Sequence, residues 1–217
     1  MISITRLPEP ARLTENKEKW LTAYLKRRET RPGLRPDSRQ YGHPEIRSTL
    51  EAISYNKCFY CERNLVETKG EVDHYIEVAE EPALAFDWYN LYLSCPDCNR
   101  RKLSNVMIPV SDCLDPCDPA ESPADHLTFD DEHVRPKDGS PKGSKTVQKY
   151  KLERLSLNYL RLKQLQQFCE LLLELRERQR RDGRPLTQPE KEVLASFKEP
   201  QHAFSLMFST YLAKLDL

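Results

Sequence analysis

The chain of 217 residues is 38% apolar and 31% charged, with 34 Lys+Arg balanced by 34 Asp+Glu for a net charge of zero. That length suits one domain with elaborations or a small core with helical additions, and no apolar run approaches the ~20 residues that span a bilayer, which argues against a membrane role. Met1 to Pro8 carries no secretory apolar segment, and seven cysteines, an odd count, fit a reducing cytoplasm better than a disulfide framework.

In chain order, Thr14 is placed to cap a helix from Glu15 to about Glu29, with Trp20, Leu21, Tyr24 and Leu25 at helical spacing. Arg31-Pro32-Gly33 ends it, and a Pro/Arg-rich loop runs to Gly42. His43-Pro44-Glu45 opens a second helix through Leu50 and Ile53, with proline at the start where its missing N–H costs nothing. Lys57 to Glu62 forms a first Cys-x-x-Cys knuckle. Gly70 to Ile76 reads as a short strand with Val72, His74 and Ile76 on one face, and the aromatic stretch Phe86 to Tyr92 is expected to pack against the knuckles. A second knuckle, Cys95 to Cys98, leads into a helix ending near Asn105. The Pro- and Asp-rich stretch from Ser111 to Ser144 predicts an irregular loop with at most short strands. Helices follow over about Lys145–Leu155 and Tyr159–Asp182, divided at Leu157-Asn158 and closed by Gly183 and Pro185. Thr187-x-x-Glu190 is a capping box for another helix, and Pro200 starts the last, with Phe204, Met207, Phe208 and Tyr211 as its apolar stripe.

Charge is segregated although the total is zero. Residues 1–50 hold 11 Lys+Arg against 6 acids and residues 135–191 hold 15 against 7, whereas 71–90 and 111–132 carry six and eight acids with no Lys or Arg. Basic flanks can neutralise phosphates while acids gather at a metal or face a basic partner, but ordinary solvated faces produce such runs too.

The residues that carry chemistry lie between the two knuckles. Cys58, Cys61, Cys95 and Cys98 offer four soft ligands on separate turns, as a structural zinc ion requires. The 33 residues between the pairs leave room for a hairpin carrying Asp73-His74. Asp can ligate a hard divalent cation and His can deprotonate water. Adjacent strand residues point to opposite faces, so a twisted or bulged hairpin is needed to bring both to one phosphate. Arg100, Arg101 and Lys102 sit at a helix N-terminus, where cations oppose the helix dipole unless a phosphate offsets them, so a phosphate contact is expected there in preference to a solvated turn. Cys113 and Cys117 with His126 and His133 have irregular spacing, so unpaired loop thiols are expected there. Cys169 lies on an apolar helix stripe, and the arginines from 176 to 184 suit the charged end of an amphipathic helix.

Cys58-Phe59-Tyr60-Cys61, Val72-Asp73-His74, Trp88-Tyr89-Asn90-Leu91 and Ser94-Cys95-Pro96-Asp97-Cys98-Asn99-x-x-Lys102 together resemble the zinc-containing HNH endonucleases of the ββα-metal type. The resemblance implies that His74 activates water, that Asp73 and Asn99 bind the catalytic metal, and that Asn90 holds the His ring through a backbone contact. Asn99 stands where many relatives have His, and an amide oxygen favours Mg²⁺ or Mn²⁺. Outside this core, His43-Pro44-Glu45, Leu114-Asp115-Pro116, Asp125-His126-Leu127-x-Phe129 and Leu155-x-Leu157-Asn158-x-x-x-Leu162 look like the HNH nucleases of bacterial anti-phage systems, the Septu (PtuB) type also found as retron effectors. That likeness implies an ABC-type or SMC-like ATPase partner of the PtuA type. Relatives commonly carry Arg-Pro-Lys after the histidine; here Tyr75-Ile76-Glu77-Val78-Ala79-Glu80-Glu81 follows, which removes a phosphate contact.

The expectation is an α+β, mostly helical protein. It has an N-terminal helical extension (1–42), a zinc-stabilised ββα-metal (HNH) core (43–110), an acidic loop (111–144) and a C-terminal helical region (145–217). As a metal-dependent endonuclease it would act on nucleic acid, DNA in preference to RNA, with structural zinc, catalytic Mg²⁺ or Mn²⁺, and Arg100, Arg101 and Lys102 on phosphates. The competing reading is a zinc-dependent nucleic-acid-binding or adaptor subunit with a vestigial site.

Overall fold

The computed structural model describes residues 1–66 and 68–215, and its N-terminal part is helical as the apolar spacing predicts. A single turn, α1 (Ala11–Thr14), precedes α2 (Lys17–Thr30). Thr14 ends that turn instead of capping the long helix, because Pro10 O already accepts the Leu13 and Thr14 amides. A short α3 (Ser38–Tyr41), capped by the Asp37 carboxylate, interrupts the Pro/Arg-rich loop. α4 (Pro44–Ile53) starts at the predicted place, with His43 Nδ1 accepting the Glu45 amide, and it buries Ile46, Leu50 and Ile53 at helical spacing.

β1 (Glu71–His74) pairs antiparallel with β2 (Leu91–Ser94), setting Asp73 opposite Tyr92 and His74 opposite Leu91. The strand stops short of Ile76 because the Asn90 side chain, instead of a strand partner, takes the Ile76 amide and carbonyl. Phe59 and Tyr75 meet Tyr92 at ring distances of 5.3 and 4.8 Å, and buried Trp88 donates its indole N–H to Leu7 O, so the aromatic stretch packs on the knuckles as expected. α5 (Pro96–Ser104) follows β2 directly. Hairpin and helix thus form a ββα unit beside the first knuckle.

Residues 111–144 are more ordered than an irregular loop. α6 (Pro123–His126) leads into a hairpin of β3 (Leu127–Asp130) and β4 (His133–Pro136). Leu127, Phe129 and Val134 are its buried residues, and Asp131 at φ 50° makes the turn. α7 (Pro141–Lys149) begins before Lys145 because Ser140 caps it, accepting the Gly143 amide. α8 (Leu155–Asp182) contains Leu157 and Asn158; the break expected at those residues lies at 150–154, where Lys151 adopts φ 46°. Gly183 closes α8 at φ 61°, a conformation that costs glycine little. α9 (Gln188–Ala195) carries both bonds of the predicted capping box. α10 (Ser205–Leu212) starts later than Pro200, since Phe204 at φ 59° cannot continue a helix. Phe168 of α8 packs against Phe197, Phe208 and Tyr211 at ring distances of 5.0 to 5.6 Å.

A buried charge cluster joins the first knuckle to α10. Glu62 accepts from the Met1 ammonium at 2.6 Å and from Ser205 Oγ at 2.9 Å, with Lys57 Nζ at 3.4 Å. Burial alone would raise the Glu62 carboxyl, but the Met1 ammonium and Lys57 outweigh it and hold the pKa at about 2. Because that folded value lies below the unfolded one, the stabilisation is present above pH about 4.5 and is lost as pH falls toward 2. Its size is on the order of 3 kcal/mol. Stability measured by denaturant titration across that window should fall accordingly, and Glu62→Gln, less stable at neutral pH, should show a smaller acid-dependent loss.

Candidate active site

Two turns of backbone bring the cysteines together. The first knuckle reverses through Glu62 at φ 62°, with Glu62 N on Cys58 O and Cys58 N on Arg63 O. The second caps α5, where Cys95 Sγ accepts the Cys98 amide at 3.4 Å. All four sulfurs are buried and lie within 4.8 Å of one another, and Cys61 Sγ to Cys95 Sγ is 3.9 Å. A tetrahedron with sulfurs ~2.3 Å from its centre has edges of about 3.8 Å, so the set could hold zinc. Arg154, at the N-cap of α8, points a guanidinium nitrogen at Cys98 Sγ (3.5 Å) and Cys95 Sγ (3.9 Å). Such a cation suits a thiolate cluster that outnumbers the charge of a divalent ion. Among the described residues, this is the one His/Cys/Asp/Glu group arranged to hold a metal. Cys113, Cys117, His126 and His133 do not form a second; both thiols are free, and the two imidazoles bond Ser140 and Glu153.

Asp73, His74 and Asn99 line one small cleft of about 50 Å³ between β1 and α5. Asn90 stands behind it. Its side-chain oxygen accepts the Ile76 amide at 2.7 Å, and its nitrogen donates to Ile76 O and Leu84 O at 3.0 and 3.2 Å. The loop pinned in this way presents Ala85 O to His74 Nε2 at 2.9 Å. A carbonyl only accepts, so Nε2 carries the proton and the lone pair of the neutral ring is on Nδ1. Burial pushes His74 below the usual imidazole range, against the opposing pull of the Ala85 carbonyl and Asp73, which favours that neutral form. Tyr41 of α3 lies edge-on to the ring, centroids 4.6 Å apart.

Asp73 is almost fully engaged by protein. Tyr60 donates to Oδ2 at 2.8 Å, and Lys102 Nζ lies 2.8 Å from both carboxylate oxygens. The same ammonium donates to His74 O and sits 2.7 Å from Glu77 Oε1, a close ion pair without hydrogen-bond alignment. Lys102 therefore departs from the surface role expected of it: its side chain is 0% exposed. The i, i+4 spacing from Cys98 was the available signal, since it places Lys102 on the inner face of α5. Arg100 and Arg101 are exposed as expected. Asn99 donates to Glu71 Oε2 at 2.9 Å, leaving its amide oxygen without a protein partner among the described residues. The donors offered by Asp73 and Asn99 are hard oxygens, of the kind that suits Mg²⁺ or Mn²⁺. Tyr41, Tyr60, Glu71 and Glu77 were not singled out by sequence; each lies far along the chain from, or on another element than, the motif residue it touches.

Residues 58–104 match the model of the HNH endonuclease family. The chain is also similar to two curated proteins described as Septu protein PtuB. One, from Bacillus thuringiensis, is 32% identical over 104 residues, covering 47% of this chain and 37% of the relative. The other, from Bacillus mycoides (strain KBAB4), is 29% identical over 155 residues, covering 57% of this chain and 52% of the relative. The chain thus spans between about a third and a half of the length of these relatives. Asn90→Ala should destabilise the fold by about 2–4 kcal/mol in chemical denaturation, because it leaves Ile76 and Leu84 backbone groups unpaired in a buried site.

Proposed function

We propose that the chain, whose residues 58–104 match the model of the HNH endonuclease family, is a metal-dependent endonuclease in which His74 is the general base. The observation that carries this reading is the bond from His74 Nε2 to Ala85 O. It fixes the ring, fixes the tautomer, and leaves Nδ1 to take a proton from water in the cleft. Asn90 is a positioning residue that acts through the loop it pins. Asp73 and Asn99 would hold Mg²⁺ or Mn²⁺, and the cation would supply polarisation of the scissile phosphate and charge stabilisation at the leaving oxygen. Cys58, Cys61, Cys95 and Cys98 hold structural zinc, and exposed Arg100 and Arg101 meet flanking phosphates.

Lys102 keeps Asp73 oriented while that carboxylate is buried, at 5% exposure. Without the ammonium, Asp73 and Glu77 would face each other as uncompensated charges. The likeness to Septu PtuB proteins supports a nuclease of anti-phage defence; a PtuA-type ATPase partner and DNA as the favoured substrate belong to the same proposal.

Cleavage of plasmid DNA, single-stranded DNA and RNA in the presence of Mg²⁺, with and without the ATPase, tests the reading. His74→Ala should lower the rate by roughly 10²–10⁴-fold while zinc content and circular dichroism stay those of the parent. Unchanged cleavage would sink the mechanism, and a wild-type chain inert on all three substrates would leave an adaptor role in its place. Cys98→Ser should instead lose metal and structure together, seen as reduced zinc content and a non-cooperative thermal transition.

A further inference from the structure

The segment ahead of the HNH domain walls one side of the catalytic cleft. α3 sets Tyr41 against His74, and the small hollow over Asp73 and His74 also reaches Arg35. A second hollow of about 280 Å³ adjoins it, bounded by Ser38, Arg47 and Glu71. Tyr41, Val72 and Asn99 belong to both. The two hollows therefore adjoin and make a furrow beside the catalytic pair, with Arg35 lining the one and Arg47 the other.

The chemistry of the surroundings makes those two arginines stand out. The loop from Tyr75 to Glu81 brings three glutamates and no cation of its own, and Arg28, which reaches it, is committed to the Val78 and Ala79 carbonyls. Arg35 is 67% exposed and lies 3.4 Å from Glu77, an exposed pairing of the kind that contributes little. Glu77 keeps Lys102 as its partner at 2.7 Å when Arg35 swings away. Arg47 donates from one nitrogen to Gly70 O, and a guanidinium has five N–H donors, so others remain for a ligand. Across the furrow, α5 offers Asn99 and, one residue on, exposed Arg100.

We propose that Arg35 and Arg47 grip the phosphodiester backbone on either side of the scissile phosphate, so that the N-terminal arm supplies the backbone contacts that the acidic loop after His74 lacks. This rests on the nuclease reading above and adds the path of the strand. Arginine suits the role because its planar fork matches phosphate oxygens.

The test uses the full chain carrying His74→Ala, so that binding is read without turnover. Fluorescence anisotropy with single-stranded and duplex 20-mer DNA, each in Mg²⁺ over a series of salt concentrations, gives the affinity and its salt slope. Adding Arg35→Gln and Arg47→Gln together should weaken binding by about tenfold or more near 0.1 M salt and lower the slope by about two. Arg35→Gln alone, at an exposed position where misfolding is not a concern, should lower the slope by about one. Arg178→Ala, on the distant end of α8, should leave both unchanged. Parent affinity and slope in the double variant would overturn the furrow assignment, with the nuclease reading intact if the His74 chain still cuts. A chain that neither binds nor cuts would overturn both.

Discussion

Cys95 and Cys98 begin α5, while Cys58 and Cys61 come from the turn after α4, so the convergence of the four buried sulfurs, and any ion they would hold, ties the hairpin helix to the rest of the chain. That tie sets the distance from which everything else in the cleft is measured. One turn beyond Cys98 the helix delivers Lys102 to Asp73, and one residue beyond Cys98 it delivers Asn99 to the mouth of the same cleft. A helix that slid by one residue would exchange a buried cation for an exposed arginine. The C-terminal additions brace the same point: Arg154 reaches the sulfurs of the second knuckle, and Tyr150 stacks on Tyr60 at 4.3 Å, directly behind the tyrosine that bonds Asp73.

The hairpin resolves the conflict posed by neighbouring Asp73 and His74. Their register is regular, with no extra residue opposite Tyr92 or Leu91, so the side chains leave the strand in different directions. Asp73 turns toward Tyr60 and Lys102, and His74 toward Ala85 and Tyr41. Both still line one cleft because the cleft lies at the strand's end, where Asn90 diverts the chain away from further pairing. Termination of the strand and orientation of the imidazole thus have one cause.

The motif residues were legible in sequence because their spacing is chemical: two Cys-x-x-Cys pairs admit few arrangements, and Asp73-His74 between them admits fewer. The helices were legible through apolar period, proline and caps, as at Pro44, Gly183 and Thr187. Two kinds of feature were not. Left-handed residues without glycine, at Lys151 and Phe204, broke helices where the pattern gave no signal. Partnerships between distant segments, such as Tyr41 with His74 or Lys102 with Asp73, depend on tertiary placement that no local period encodes. Lys102 illustrates the difficulty: in a run of three cations only the helical phase relative to Cys98 separates the buried one from its exposed neighbours.

The neutral net charge conceals how the charges are used. Acids of the 111–132 segment are largely satisfied within the chain, Asp112 by Lys145 at 2.9 Å, Glu121 by Lys142, and Asp115 by the Tyr92 hydroxyl at 2.6 Å. In the cleft, Lys102 lies between Asp73 and Glu77. Arg184 is held by Glu190, and Arg178 by Glu174. Arg35 and Arg47, whose engagement is partial, line the hollows beside Asp73 and His74, and exposed Arg100 follows Asn99 in the chain. A phosphate backbone is attracted by such local, uncommitted charge, so the balance of 34 cations against 34 acids is compatible with binding nucleic acid at a site that most of those charges never face.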